Sequence, residues 1–184
     1  LIPFPEQKYN IIYVDPPWKF RNKNTGGNLK SGSAFHYDVM TLQDICNLPV
    51  QDITDNNCML FMWWVASQPK EAIEVVASWG FTLKTMTGFN WVKKTKNWKE
   101  FFGMGFYTRQ GSENCLIATK GKPKVYSHSV RSVFEAQNKK HSQKPFVTRE
   151  KIVELAGDLP RIELFARDKV LGWDHWGLEV DKID

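Results

Sequence analysis

Apolar positions recur along this chain with two periods, and the alternation between them predicts its architecture. Ile11-Ile12-Tyr13-Val14 is a short unbroken apolar run, the pattern of a strand buried on both faces. Cys58–Val65 is a longer run of the same kind. Phe81–Val92, rich in β-branched and aromatic residues, predicts a strand or strand pair. Asn114–Thr119 and Ile162–Ala166 predict two more, and Trp173–Val180 closes the chain. Between these runs the period becomes helical. Ala72, Ile73, Val76 and Ala77 follow Pro69 at helical spacing and stop at Gly80. Val147, Ile152, Val153, Leu155 and Ala156 follow Pro145 and stop at Gly157. Thr41, with Asp44 in the capping-box position, opens a short helix over Leu42–Leu48. Strands alternating with helices predict an α/β fold, a mostly parallel twisted sheet with helices on both faces. At 184 residues the chain suits one domain, 1–184, with a sizeable core.

The remaining segments are polar. Lys19–Phe35 carries Gly26, Gly27 and Gly32 among Asn and Ser, and Lys93–Thr108 is basic, aromatic and punctuated by glycine; both predict loops. The chain holds 25 Lys and Arg against 20 Asp and Glu, and placement says more than this excess. Lys19, Arg21, Lys23 and Lys30 follow the first strand. Lys93, Lys94, Lys96 and Lys99 follow another, Lys120, Lys122 and Lys124 a third, while Lys139, Lys140 and Lys144 precede a helix. If those strands are parallel neighbours, the clusters converge on one edge as a basic rim suited to a polyanion; the alternative is a set of solvated loops.

Several classes are disfavoured. The longest apolar run, Cys58–Ala66, is too short to span a bilayer. Leu1-Ile2-Pro3-Phe4-Pro5 lacks the ordered charged and apolar regions of a secretory leader. Cys46, Cys58 and Cys115 are odd in number and sit mostly in apolar company, which predicts buried thiols of a cytoplasmic protein. His36, His128, His141 and His175 show no ligand spacing, so no metal site is predicted. No Gly-rich phosphate or dinucleotide loop and no nucleophile elbow is present.

Candidate chemistry concentrates at Asp15-Pro16-Pro17-Trp18, directly after the first strand. In open α/β sheets ligands bind at the carboxyl ends of the strands. Two prolines stiffen the turn and lack N–H groups, which leaves carbonyls to accept hydrogen bonds. The Asp15 carboxylate and the Pro16 carbonyl thus form a rigid acceptor pair beside an indole, an arrangement suited to an exocyclic amine on a flat base. The alternative is a strand-ending turn with Trp18 in the core.

Read in order, these motifs resemble the MT-A70 family of adenine N6-methyltransferases over nearly the whole chain. They are Asp15-Pro16-Pro17-Trp18, Tyr37-Asp38-Val39-Met40, Leu60–Val65, Trp91-Val92-Lys93, Glu113–Leu116 with Lys120-Gly121, His141–Pro145, Glu163–Arg167, and Gly172-Trp173 with Trp176–Glu179. The resemblance implies a Rossmann-like fold that uses S-adenosylmethionine, its catalytic motif preceding its cofactor motif. It implies catalytic roles for Asp15, Pro16, Pro17 and Trp18. Cofactor contacts fall to Asp15, Ser142, Lys144, Glu163, Phe165, Arg167 and Glu179, with Lys144 near the methionine carboxylate.

Substrate contacts fall to Trp18, Tyr37, Lys93 and Lys94, with Tyr37 as a lid over the base or as an ordinary half-buried tyrosine. Lys144 is otherwise a surface lysine before a helix, and Glu163 and Arg167 either border the ribose or form ion pairs. One position departs: Leu178 stands between Gly177 and Glu179 where the family commonly carries Asn, and Leu cannot bond a ribose hydroxyl. Cofactor affinity is then lower, or Glu179 carries more of the contact. The implied function is methylation of adenine N6 in DNA, in a bacterial cytoplasm or that of a phage host. The runners-up are an RNA methyltransferase and a catalytically silent nucleic-acid-binding subunit. Neither a membrane partner nor a particular homo- or hetero-oligomeric state follows from the sequence.

Overall fold

The computed structural model describes residues 2–19, 40–139 and 143–177. Seven strands form one sheet: β1 (Tyr9–Val14), β2 (Thr54–Trp64), β3 (Thr82–Lys94), β4 (Ser112–Lys120), β5 (Val133–Gln137), β6 (Arg161–Leu164) and β7 (Asp174–Trp176). Their order across the sheet is β5-β3-β4-β2-β1-β6-β7. The pairs β1–β2, β1–β6, β6–β7 and β3–β5 are parallel, while β4 is antiparallel to both β2 and β3. Six strands therefore end at one edge and β4 begins there.

Side chains alternate across this sheet as the pleat requires. Ile12 and Val14 of β1 and Leu60 and Met62 of β2 point to one face. They are covered by α1 (Leu42–Cys46), a 3₁₀ turn (Val50–Ile53) and α2 (Pro69–Ser78) through Ile45, Val50, Val75 and Trp79. Ile11, Tyr13, Phe61 and Trp63 point to the other face, against Ile152 and Ala156 of α3 (Val147–Ala156). Helices thus lie on both faces. A register shift between Tyr9 and Ile11 moves Tyr9 onto the α1–α2 face, and its hydroxyl donates to Asp174 at 2.7 Å. Thr41 and Asp44 form the reciprocal capping box that opens α1, and Pro69 occupies the first turn of α2. The Trp79 indole N–H donates to the Ile45 carbonyl at 2.9 Å, joining α2 to α1. All three thiols are free, Cys58 and Cys115 buried and Cys46 half-buried. No helix among the described residues is long and apolar enough to cross a membrane.

The structure departs from the sequence reading in four places. Strand β5 is new: only Phe134 of its five residues is buried, and half-polar edge strands carry little hydrophobic signal. Strand β3 runs on through Lys93 and Lys94, which belong to the sheet rather than to a loop. Helix α1 stops at Cys46 and α3 starts at Val147, each two residues inside its predicted limit. The last correction concerns the basic rim. Because β4 is antiparallel, Lys120, Lys122 and Lys124 follow its far end, opposite Asp15, and take no part in a rim around it.

One turn at the carboxyl edge is tightly held. Phe165 follows β6 with a left-handed φ of 56°, and the Ala166 N–H donates to the Trp176 carbonyl at 3.1 Å. Gly177 lies against this turn, where a Cβ would sit 2.8 Å from Ala166 O and 2.9 Å from Ala166 N. Gly177→Ala is expected to destabilise the fold by about 1–3 kcal/mol in thermal denaturation. An unchanged Tm would show that the turn yields freely.

Candidate active site

Ile11 and Tyr13 of β1 face α3, and the alternation carries Asp15 to that side just past the last strand residue. Lys144, three residues before α3, donates its Nζ to Asp15 Oδ2 at 2.7 Å and lies 3.2 Å from Glu113 Oε2. Glu113 reaches this edge because β4 starts there, and Lys93 at the end of β3 pairs with its Oε1. The result is a row of alternating charge, Asp15–Lys144–Glu113–Lys93. It lies over aromatic rings: Lys144 Nζ is 5.4 Å from the Trp63 ring centroid, and Lys93 Nζ is 5.0 Å from Trp91.

Burial and partners oppose each other along the row. Burial works against ionisation of Glu113, but Lys144 and Lys93 outweigh it and hold its pKa down to about 2. Burial also works against the Lys144 cation, and Asp15 and Glu113 outweigh it, raising its pKa. For Asp15, burial raises the pKa above the ordinary carboxyl value, Lys144 and Arg167 offset part of this, and Glu113 adds to the rise.

A second polar layer lies in β1 and β6. The Trp63 indole N–H donates to the Tyr13 hydroxyl at 2.7 Å. Arg149 of α3 donates through Nε and Nη2 to both oxygens of Glu163, each at 2.7 Å. Both residues are buried, and Glu163 pairs with Tyr13 across the β1–β6 ladder. Of the two sequence readings of Glu163, the structure shows the internal ion pair. Gln143 donates to Asp168 at 3.0 Å, tying the segment before α3 to the turn that carries Phe165 and Arg167. Phe165 stacks edge-on against Trp176, with ring centroids 5.3 Å apart.

The Asp15-Pro16-Pro17-Trp18 turn is more engaged than its sequence suggested. The Trp18 backbone N–H donates to the Pro16 carbonyl at 2.8 Å, and the Met40 N–H donates to the Pro17 carbonyl at 3.2 Å. The Pro16 carbonyl is therefore not free, although a carbonyl oxygen has a second lone pair. The Trp18 indole N–H donates to the Trp63 carbonyl at 3.1 Å, and only 6 % of the residue is exposed. Its ring packs in the α1–α2 core and forms part of the wall of a 270 Å³ cleft with Met40, Thr41, Gln68 and Glu71. Lys93 and Lys94 are corrected as well. Lys93 is bound to Glu113 and Lys94 to Glu135 at 3.0 Å, both mostly buried, so neither is a solvated rim lysine.

Tyr37, Ser142, Leu178 and Glu179 lie outside the described residues. Glu113 and Arg149 had no role in the sequence reading. Glu113 stood in a recognised motif, but its place beside Asp15 depends on β4 running antiparallel, which no local pattern shows. Among the described residues no cluster of His, Cys, Asp and Glu could hold a metal ion.

A carboxylate and an ammonium side by side are complementary to a zwitterionic amino-acid group, which an S-adenosylmethionine-type cofactor carries at its methionine end. Asp15 and Lys144 form such a pair at the carboxyl edge of the sheet, with Phe165 and Arg167 on the adjoining turn. A Rossmann-like α/β fold with a charged ligand edge at its parallel strand ends is the class of protein this defines. The sequence model named MT-A70 matches residues 9–179, and the chain belongs to that family.

The chain is 34% identical to the Type II methyltransferase M.MunI of a Mycoplasma species over 96% of its own length and 79% of that protein's. It is 26% identical to the N6-methyladenosine RNA methyltransferase MTA1 of Pyricularia oryzae, over 94% of this chain and 47% of that one. It is 25% identical to the N(6)-adenine-specific methyltransferase METTL4 of Homo sapiens, over 95% and 38%. The chain thus spans most of the first relative and less than half of the other two.

The low pKa of Glu113 gives a stability signature. A carboxyl group whose folded pKa lies below its unfolded one stabilises the fold above the unfolded value, and that contribution is lost as pH falls through the folded one. The stability advantage of the native chain over Glu113→Gln is expected to shrink between pH 4.5 and about 2, measured by urea unfolding across that window. An advantage that stays constant would mean Glu113 is not held ionised by the two lysines.

Proposed function

We propose that this chain transfers the methyl group of S-adenosylmethionine to N6 of adenine in DNA. The observation that carries the proposal is the Asp15 carboxylate, held at the sheet's carboxyl edge by Lys144 and adjoining the Pro16 carbonyl. The lone pair of N6 is delocalised into the purine ring, so the amine is a weak nucleophile. Lys144 takes Oδ2 of Asp15, which leaves Oδ1 to accept one N6 hydrogen; the second lone pair of the Pro16 carbonyl accepts the other.

Two acceptors in fixed positions draw the nitrogen toward tetrahedral geometry and stabilise the positive charge that develops on it. When bound, S-adenosylmethionine supplies an electrophilic methyl group on a sulfonium that leaves as a neutral thioether. Asp15 would accept the proton that N6 releases on methylation and pass it to solvent. Lys144 offsets part of the rise that burial gives the Asp15 pKa, and so favours the anionic acceptor. Lys144 and Asp15 would together hold the methionine zwitterion, with Phe165 and Arg167 on the adjoining turn toward the rest of the cofactor. Because Pro16 is buried and Asp15 half-buried, the adenine reaches these acceptors only from a single strand or swung out of a duplex.

Three lines support DNA as the substrate. The Type II methyltransferase, a class of DNA enzyme, is similar over most of both chains. That relative is from a Mycoplasma species, which supports a bacterial or phage-host cytoplasm and the DNA within it. The RNA methyltransferase is less similar and more than twice as long as the matched part. RNA is the second reading, favoured by that relative's printed activity.

Transfer of tritiated methyl to DNA and RNA oligonucleotides, single and double stranded, tests the proposal. Signal on RNA alone would overturn the DNA assignment, and no signal on either would leave a silent binding subunit. Asp15→Ala is expected to lower the transfer rate at saturating cofactor at least ~100-fold. Near-normal turnover in that variant would remove Asp15 from the mechanism.

A further inference from the structure

The connection from β3 to β4 is ordered by its backbone yet presents large aromatic side chains to solvent. Lys93 N–H donates to Gly111 O at 2.8 Å, and Gly103 and Gln110 exchange two hydrogen bonds of 3.2 Å, so the strand pair continues beyond the sheet as a narrow ribbon. At its base the Trp98 N–H donates to Thr95 O at 2.9 Å and the Lys99 N–H to Thr95 Oγ1 at 3.1 Å. On this ribbon Phe102 and Phe106 are 76% and 75% exposed, Tyr107 is fully exposed and Trp98 is 59% exposed. Lys96, Lys99 and Arg109 are exposed among them, with Glu100 the one acidic residue between Thr95 and Gly111. The Arg109 guanidinium lies 5.0 Å from the Phe102 ring centroid, so cation and ring already form one surface.

Exposed apolar groups of this size mark a binding surface, because water disfavours leaving them out. Here the aromatics alternate with cations and hydrogen-bonded backbone, which distinguishes the ribbon from a dry protein-binding patch. Flat rings take the faces of unpaired bases in any sequence, and Lys and Arg beside them neutralise the phosphates between. The ribbon also starts at the same sheet edge as Asp15. Lys93, at its root, is bound to Glu113 and lies 5.4 Å from the Phe101 ring centroid, and Glu113 joins Lys144 and so Asp15.

We infer that the 95–111 ribbon is a stacking platform for unpaired DNA bases that flank the target adenine. The inference rests on the methyl-transfer reading for its target but not for its binding chemistry. Lys93 and Lys94 are occupied by ion pairs, and the platform takes over the nucleic-acid contact first sought in them.

The test is equilibrium binding of a fluorescein-labelled single-stranded DNA oligonucleotide by anisotropy, over a range of salt, with no methyl transfer required. Phe102→Ser/Phe106→Ser/Tyr107→Ser is expected to weaken binding about tenfold or more at an unchanged salt slope. Lys96→Gln/Lys99→Gln/Arg109→Gln is expected to flatten the slope of log K against log salt by about 2. All six side chains are exposed, and an unchanged circular dichroism spectrum and Tm confirm that each variant is folded. Unchanged affinity and slope in both variants would overturn the inference. So would unchanged DNA affinity with loss of self-association in gel filtration, which would make the ribbon a contact between copies of the chain. A chain that binds as expected and never transfers methyl contradicts the proposed reaction alone. Full transfer to DNA by variants with native affinity contradicts the platform alone.

Discussion

The site depends on a row of four alternating charges, Asp15–Lys144–Glu113–Lys93, held at the end of a sheet where water is partly excluded. Burying an ion is costly unless it is paired, and removing one member leaves its neighbour uncompensated. Each residue of the row comes from a different part of the chain: the end of β1, the start of β4, the end of β3 and the segment before α3. Closing the row therefore requires the whole sheet to be assembled. In return it fixes the Asp15 carboxylate beside Lys144, whose charge offsets part of the cost of burying it; an anionic acceptor is what a weakly nucleophilic amine needs. Beneath it the Tyr13–Trp63 bond and the buried Arg149–Glu163 pair anchor the same strands to α3.

Reversing β4 is the topological step that makes this possible. Were all seven strands parallel, Glu113 would lie at the far edge and Lys144 would face Asp15 alone. The same reversal sends Lys120–Lys124 away from the site, so the positive surface near Asp15 is narrower than loop composition implies. It also makes β3 and β4 a hairpin pair whose extension carries the exposed aromatics. One antiparallel strand thus supplies both the central carboxylate of the ion row and the ribbon beside it.

Much of this was legible in the chain. Apolar runs marked the strands β1, β2 and β4, the Pro69 and Pro145 signals marked two helices, and the Thr41–Asp44 box marked the third. Asp15 and Lys144 were legible as candidate site residues because their motifs are local, and the structure pairs them. Glu113 was not, since its role depends on strand direction, and neither was Arg149, which looks from sequence like any polar residue in a helix. Glu163 shows its ion-pair reading because β1–β6 pairing sets it beside Tyr13 and Arg149 of α3 reaches it. Trp18 kept both of its readings, with a ring packed in the core and an edge on a cleft. Strand β5 escaped because an edge strand needs only one buried residue to hold its place.

The central claim is that Asp15 and the Pro16 carbonyl jointly accept the exocyclic amine of adenine at the carboxyl edge of the sheet. A crystal structure of the chain with S-adenosylhomocysteine and an adenine nucleotide tests it most directly. The expected result places N6 within hydrogen-bond distance of both Asp15 Oδ1 and Pro16 O, with Lys144 still bound to Asp15 Oδ2. An adenine bound in its reactive position with N6 away from both acceptors would contradict the account.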